Sequence, residues 1–162
     1  MRLRHVKGSF ESVKKHPKVY EDGSHHKGEW HTFFGNDHPI HLEIGIGKGT
    51  FVKTLARMNR DINYIGFEKF SSILYKCLKD VTEEDTNLHF YRFDATRIEE
   101  LFAPGEVNHI YLNFSDPWPK ERYAKHSLTS SRFFERYYSL LPEGGKVEFR
   151  TDNRMLFDFT ME

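Results

Sequence analysis

From residue 40 onward, short apolar runs alternate with stretches of helical period. Ile40-His41-Leu42-Glu43-Ile44 repeats with a period of two and predicts a strand. Gly45-Ile46-Gly47-Lys48-Gly49 comes next, and Phe51, Val52, Leu55 and Ala56 then fall at helical spacing. Tyr64-Ile65-Gly66-Phe67 predicts a second strand, ahead of a helix whose apolar positions are Ile73, Leu74, Cys77, Leu78 and Val81. Leu88 to Phe93 predicts a third, and a short helix around Ile98, Leu101 and Phe102 ends at Pro104-Gly105. His109 to Phe114 is nearly all apolar, as a parallel strand covered on both faces must be. Ser127 caps a predicted helix bearing Phe133, Phe134, Tyr137, Tyr138, Leu140 and Leu141. Pro142-Glu143-Gly144-Gly145 stops that helix before a fifth strand, Lys146-Val147-Glu148-Phe149-Arg150.

Strands spaced by helices are βαβ units, so the expected fold is α/β, a parallel and doubly wound sheet. Residues 1–39, polar and rich in His and Gly, read as a basic arm and lead-in, and residues 40–162 as the domain. Asn153 begins a further predicted helix carrying Phe157 and Phe159, and the sequence stops inside it at Glu162. A domain that continues past this end is the expectation.

An apolar fraction of 38%, with 15 phenylalanines in 162 residues, predicts a packed core instead of a disordered chain. No run reaches the roughly 18 apolar residues of a membrane span, and Met-Arg-Leu-Arg-His lacks the apolar stretch of a signal peptide. The single cysteine, Cys77, cannot close an internal disulfide, which with the missing signal predicts a cytoplasmic protein. Cys77 also sits on a helical apolar stripe and reads as core.

Formal net charge is zero, 24 basic against 24 acidic residues, so any nucleic-acid partner must be met by local patches. Two exist. Arg2, Arg4, Lys7, Lys14, Lys15 and Lys18 face one acid, Glu11, within the first twenty residues. Lys120, Arg122, Lys125, Arg132 and Arg136 outnumber Glu121 and Glu135 farther on. Without motifs, a solvated charged surface would look the same.

The motifs decide more. Gly45-x-Gly47-x-Gly49 between a strand and a helix is a nucleotide-loop pattern, because glycines allow a tight turn and close ligand approach. A P-loop is excluded: Gly49 stands where Ser or Thr is needed, and Leu42 where the leading glycine belongs. Glu68, after the second strand, is placed to accept from both ribose hydroxyls of a nucleoside cofactor. Asp94, before Ala95, is placed to accept from an adenine amino group. Glu43, just ahead of the loop, suits the cationic amino-acid end of S-adenosylmethionine and would repel a dinucleotide's pyrophosphate. Asn113-Phe114-Ser115-Asp116-Pro117-Trp118-Pro119-Lys120 lies at a strand's carboxyl end, where open α/β sheets hold ligands. There Asp116 can grip the N1–H and N2 edge of guanine, Trp118 can stack on an extruded base, and the prolines stiffen the loop.

These segments, together with Thr151-Asp152-Asn153, closely resemble the bacterial tRNA (guanine-N7)-methyltransferases from about Arg2 onward. The resemblance implies a Rossmann-like, class I S-adenosylmethionine-dependent methyltransferase sheet, here lacking its last two strands and a Thr-x-Tyr-Glu-like substrate motif. It implies S-adenosylmethionine as donor, a variable-loop guanine of tRNA as acceptor, and no metal. By position Glu43, Gly45, Gly47, Gly49, Glu68, Asp94, Ala95 and Asp116 correspond to the cofactor side, and Asp116 also to the catalytic residue. Lys120, Asp152 and Trp118 correspond to substrate contacts. Two departures stand out: Ile46 where small or polar residues are common, and Asp94 one residue early. Three other readings remain open: an amino-group methyltransferase with a related Asp-Pro-Pro-aromatic loop, a nicotinamide oxidoreductase, and a noncatalytic tRNA-binding protein.

Overall fold

The computed structural model describes residues 8–21, 26–114, 131–151 and 156–160. Its elements in chain order are α1 (Ser9–Lys15), β1 (Val19–Tyr20), α2 (Trp30–Phe34), β2 (Ile40–Ile44), α3 (Thr50–Met58) and β3 (Asn63–Phe67). Then come α4 (Ser71–Leu78), β4 (Leu88–Tyr91), a 3₁₀ turn (Ala95–Glu100), β5 (His109–Phe114), α5 (Ser131–Tyr138), β6 (Lys146–Thr151) and β7 (Leu156–Thr160). Among the described residues the strands form one seven-stranded sheet, in the order β1-β4-β3-β2-β5-β6-β7. All neighbours are parallel except β6 and β7.

The strand order reverses at β2, which lies between β3 and β5 and places the Gly45–Gly49 loop at the switch point of the sheet. Side chains alternate across β2, and each face meets its own helices. Ile40 and Leu42 join Trp30 of α2, Tyr137 of α5 and Ile98 of the 3₁₀ turn in one apolar layer. On the other face Tyr64, Leu88 and Phe90 pack with Val13 of α1, Val52 of α3 and Leu74 and Cys77 of α4. All five residues of β3 are buried, as its place inside the sheet requires.

The segment ahead of residue 40 enters both layers. Val13 and Trp30 are fully buried, and β1 extends the sheet beside β4. Trp30 stacks on Phe102 at 5.2 Å between centroids, and its indole Nε1–H donates to the Leu101 carbonyl at 2.7 Å. Glu106 secures the start of α2 by accepting from the N–H groups of Gly28 (3.0 Å) and Trp30 (3.3 Å), two donors with no partner inside the helix.

The chain's last described segment departs from the sequence reading. The sequence predicts a helix from Asn153, but Leu156–Thr160 is a strand, with Phe157 opposite Phe149 and Phe159 opposite Val147. Leu-Phe-Asp-Phe-Thr alternates with period two, and pairing it satisfies the outer backbone edge of β6. The third strand also ends earlier than expected, at Tyr91. Ser127, the expected helix cap, lies outside the described residues; the helix itself is Ser131–Tyr138.

Trp30 tests how firmly this lead-in is held. Trp30→Phe leaves the buried Leu101 carbonyl without its donor and should cost on the order of 1–3 kcal/mol. Trp30→Ala also empties the layer and should cost about 3–5 kcal/mol. Urea unfolding followed by circular dichroism measures both; equal stability in all three proteins would show that the lead-in is not part of the cooperative unit.

Candidate active site

The loop after β2 is shaped by its glycines. Gly45, Gly47 and Gly49 have φ of 77°, 59° and 76°, a region that side chains resist. The N–H groups of Gly45 and Ile46 both donate to the Phe67 carbonyl, at 2.9 and 3.1 Å, so the loop leans over the end of β3. At Gly49 a Cβ would lie 2.4 Å from the Cys77 Sγ, so the start of α3 approaches α4 as closely as only glycine permits. Gly66 is required for a related reason: a Cβ there would meet Ile46 at 2.9 Å and Phe90 at 3.2 Å. Ile46, one of the sequence departures, is buried in the α3–α4 layer and fills the space over Gly66.

Glu68 closes the cradle. Its Oε1 accepts from the Gly47 N–H at 3.1 Å and its Oε2 from the Phe70 N–H at 3.2 Å. Its own N–H donates to the Tyr91 carbonyl at 3.0 Å, which ties it to the end of β4. The side chain is buried, and burial pushes its carboxyl above the ordinary glutamate range, against the pull of those two N–H groups and of Lys69. Glu43 is almost fully buried on β2, in register with Gly66 of β3 and Tyr111 of β5. Asp94 is exposed in the turn after β4, where its carbonyl accepts from the Arg97 N–H at 3.1 Å, and Ala95 begins the 3₁₀ turn.

The structure therefore gathers Glu43, Gly45, Gly47, Gly49 and Glu68 at the carboxyl ends of β2 and β3, with Asp94 and Ala95 at the end of β4. Asp116, Trp118, Lys120 and Asp152 lie outside the described residues. The chemistry available in the described part is a glycine turn open to a ligand, beside two buried carboxylates. That set fits a cofactor carrying hydroxyls and a cationic group, and fits a phosphate poorly.

The comparisons with known proteins agree. A family model described as "Putative methyltransferase" matches residues 37–162. The tRNA (guanine-N(7)-)-methyltransferase of Lachnoclostridium phytofermentans is 53% identical over 163 residues, covering 100% of this chain and 76% of that protein. The Bacillus subtilis enzyme of the same name is 41% identical, covering 100% and 77%. The chain belongs to the tRNA (guanine-N7)-methyltransferase family. Among solved structures, the antibiotic-resistance methyltransferase Kmr matches with a TM-score of 0.59 at 20% identity, covering 77% of this chain and 65% of that one. Phosphoethanolamine N-methyltransferase 2 of Haemonchus contortus, solved with S-adenosyl-L-methionine, matches with a TM-score of 0.52 at 23% identity, covering 73% and 26%. At such identities these two likenesses speak for the fold.

In this methyltransferase, two parts of the cradle escaped the sequence reading. Cys77 is buried, as its place on the helical apolar stripe predicts, with its thiol pushed up to about 12 by burial and so held protonated. Its further role is to form the wall against which Gly49 turns. Lys53 sets that wall by donating to the Cys77 carbonyl (2.8 Å) and to Asp80 Oδ1 (2.7 Å). The Phe70 N–H is the second, since a main-chain donor leaves no trace in residue identity.

The raised Glu68 carboxyl gives a test with a definite sign. Between the ordinary value and the raised one, the folded chain holds a proton that the unfolded chain has lost. Glu68 therefore contributes stability below the ordinary range and loses it as pH rises through its folded value. Melting temperature against pH, from about 4 to 7, should fall more steeply for the wild type than for Glu68→Gln. Parallel curves would refute the desolvation of Glu68.

Proposed function

We propose that this chain transfers a methyl group from S-adenosylmethionine to N7 of a guanine in the variable loop of tRNA. The observation that carries the reading is the cradle itself, a left-handed glycine turn closed by the buried Glu68 carboxylate beside buried Glu43, in a chain of this family.

When bound, S-adenosylmethionine supplies a methyl group that its sulfonium makes electrophilic. Glu43 offers a carboxylate to the cationic amino-acid end. Each Glu68 oxygen gives one lone pair to a main-chain N–H and keeps another for a ribose hydroxyl. Asp94 accepts from the adenine amino group, with Ala95 beside it. Guanine N7 has a lone pair in the neutral base, so no general base is needed. Asp116 orients the guanine by its N1–H and N2 edge and offsets the positive charge left on the ring. Trp118 stacks on the base, and Lys120 and Asp152 hold the substrate. Most of the rate then comes from alignment and fixed charge, in place of proton transfer.

Labelled S-adenosylmethionine and unmodified tRNA, followed by borohydride and aniline, test the reading, because that treatment cleaves the chain at N7-methylguanine. Cleavage at one variable-loop guanine is the expected result; label without cleavage would move the methyl to another atom. Asp116→Ala should lower kcat on the order of a hundredfold while largely sparing affinity for S-adenosylmethionine. An unchanged kcat would remove Asp116 from the chemistry.

A further inference from the structure

We propose that the face built from α1 and α4 is a docking surface for the tRNA chain, with Phe10 and Phe70 as stacking platforms for unpaired bases. The inference rests on the tRNA reading above and adds a surface beside the cofactor cradle, to which Phe70 lends its main-chain N–H. Three large apolar side chains are exposed among the described residues, and two of them are these rings, at 43% and 42%. They belong to one place in the fold. The Ser9 hydroxyl meets the Ser72 hydroxyl at 3.3 Å, joining the start of α1 to the first turn of α4, and each phenylalanine lies within two residues of that contact.

Each ring keeps cations close. The Lys14 Nζ lies 5.9 Å and the Arg92 Cζ 4.7 Å from the Phe10 centroid, and the Lys69 Nζ lies 5.1 Å from Phe70. Farther along α4 the Lys79 Nζ lies 5.5 Å from Tyr75. Arg92 is also held by Glu21, and Asp80 at the far end of α4 by Lys53 and Arg57. That leaves exposed Lys14, Lys15, Lys69, Lys76 and Lys79 on or beside α1 and α4 against one acid of α1, Glu11, a clear excess of positive charge. Open rings interleaved with ammonium groups match single-stranded nucleic acid, whose bases stack while its phosphates pair with cations. A surface made for an apolar protein partner has no use for that flanking charge. The position also fits. Phe70 follows Glu68 by two residues and Arg92 follows the end of β4, so the surface adjoins the carboxyl edge where the proposed transfer occurs.

The test is the affinity of the purified chain for unmodified tRNA, by fluorescence anisotropy at several salt concentrations. Phe10→Ala and Phe70→Ala should each weaken binding on the order of tenfold without changing the salt slope, as lost stacking does. Lys14→Ala and Lys69→Ala should each lower the slope by about 1, as a lost phosphate contact does. Three results overturn the proposal: unchanged affinity in the double phenylalanine variant, no tRNA binding by the wild type, or a concentration-dependent dimer that Phe10→Ala abolishes. Loss of S-adenosylmethionine affinity in Phe70→Ala with tRNA binding intact would also overturn it, by assigning that ring to the cofactor. The methyltransferase reading fails separately. A wild type that binds tRNA through this face yet yields no N7-methylguanine keeps the surface and sinks the reaction, and the converse result keeps the reaction alone.

Discussion

Glu68 ties together three pieces of chain at the carboxyl edge of the sheet. It accepts from Gly47 in the loop after β2 and from Phe70 ahead of α4, and its N–H reaches Tyr91 at the end of β4. A buried carboxylate is costly without partners, and main-chain N–H groups are the partners that a glycine turn and a helix start have to spare. The same residue therefore sets the shape of the loop. Burial that raises its carboxyl is the cost of keeping the charge at the edge of the cradle.

Glycine makes the cradle possible, and at two of its glycines a neighbour fills the space that the missing side chain leaves. Cys77 lies where a side chain on Gly49 would be, and Ile46 covers Gly66. Lys53 then fastens α3 to the end of α4 through the Cys77 carbonyl and Asp80, while Arg57 reaches Asp80 and the buried Asp85. The helices on this face are thus held at a fixed spacing by charge as well as by apolar contact, and the loop between β2 and α3 inherits that spacing. The opposite layer works differently. Trp30, Phe102, Tyr91 and Phe67 pack ring against ring, and the Trp30 indole nitrogen finds a carbonyl.

The elements around the site were legible because their signals are local. A period-two apolar run, three glycines and a helical stripe describe β2, its loop and α3, and carboxylates just past β3 and β4 follow from counting along the chain. Where the reading went astray, a distant partner decided. The stretch after Asn153 carries apolar residues that suit a helix or a strand, and the open edge of β6 selects the strand. Trp30 sits in a polar segment that reads as lead-in, and only the pocket formed with Leu101 and Phe102, some seventy residues on, makes it core.

The sequence by itself determined the order of the strands and helices from β2 to β6, the turn that only glycine can make, and which acids stand at strand ends. These depend on backbone sterics and on periodicity within about a dozen residues. Only the tertiary structure decided that Glu68 bridges Gly47 and Phe70, that Cys77 is the wall for Gly49, and that Phe10 and Phe70 share one basic face. Each of those joins residues far apart in the chain or an atom of the main chain, and such contacts exist only once the sheet has brought its strand ends together.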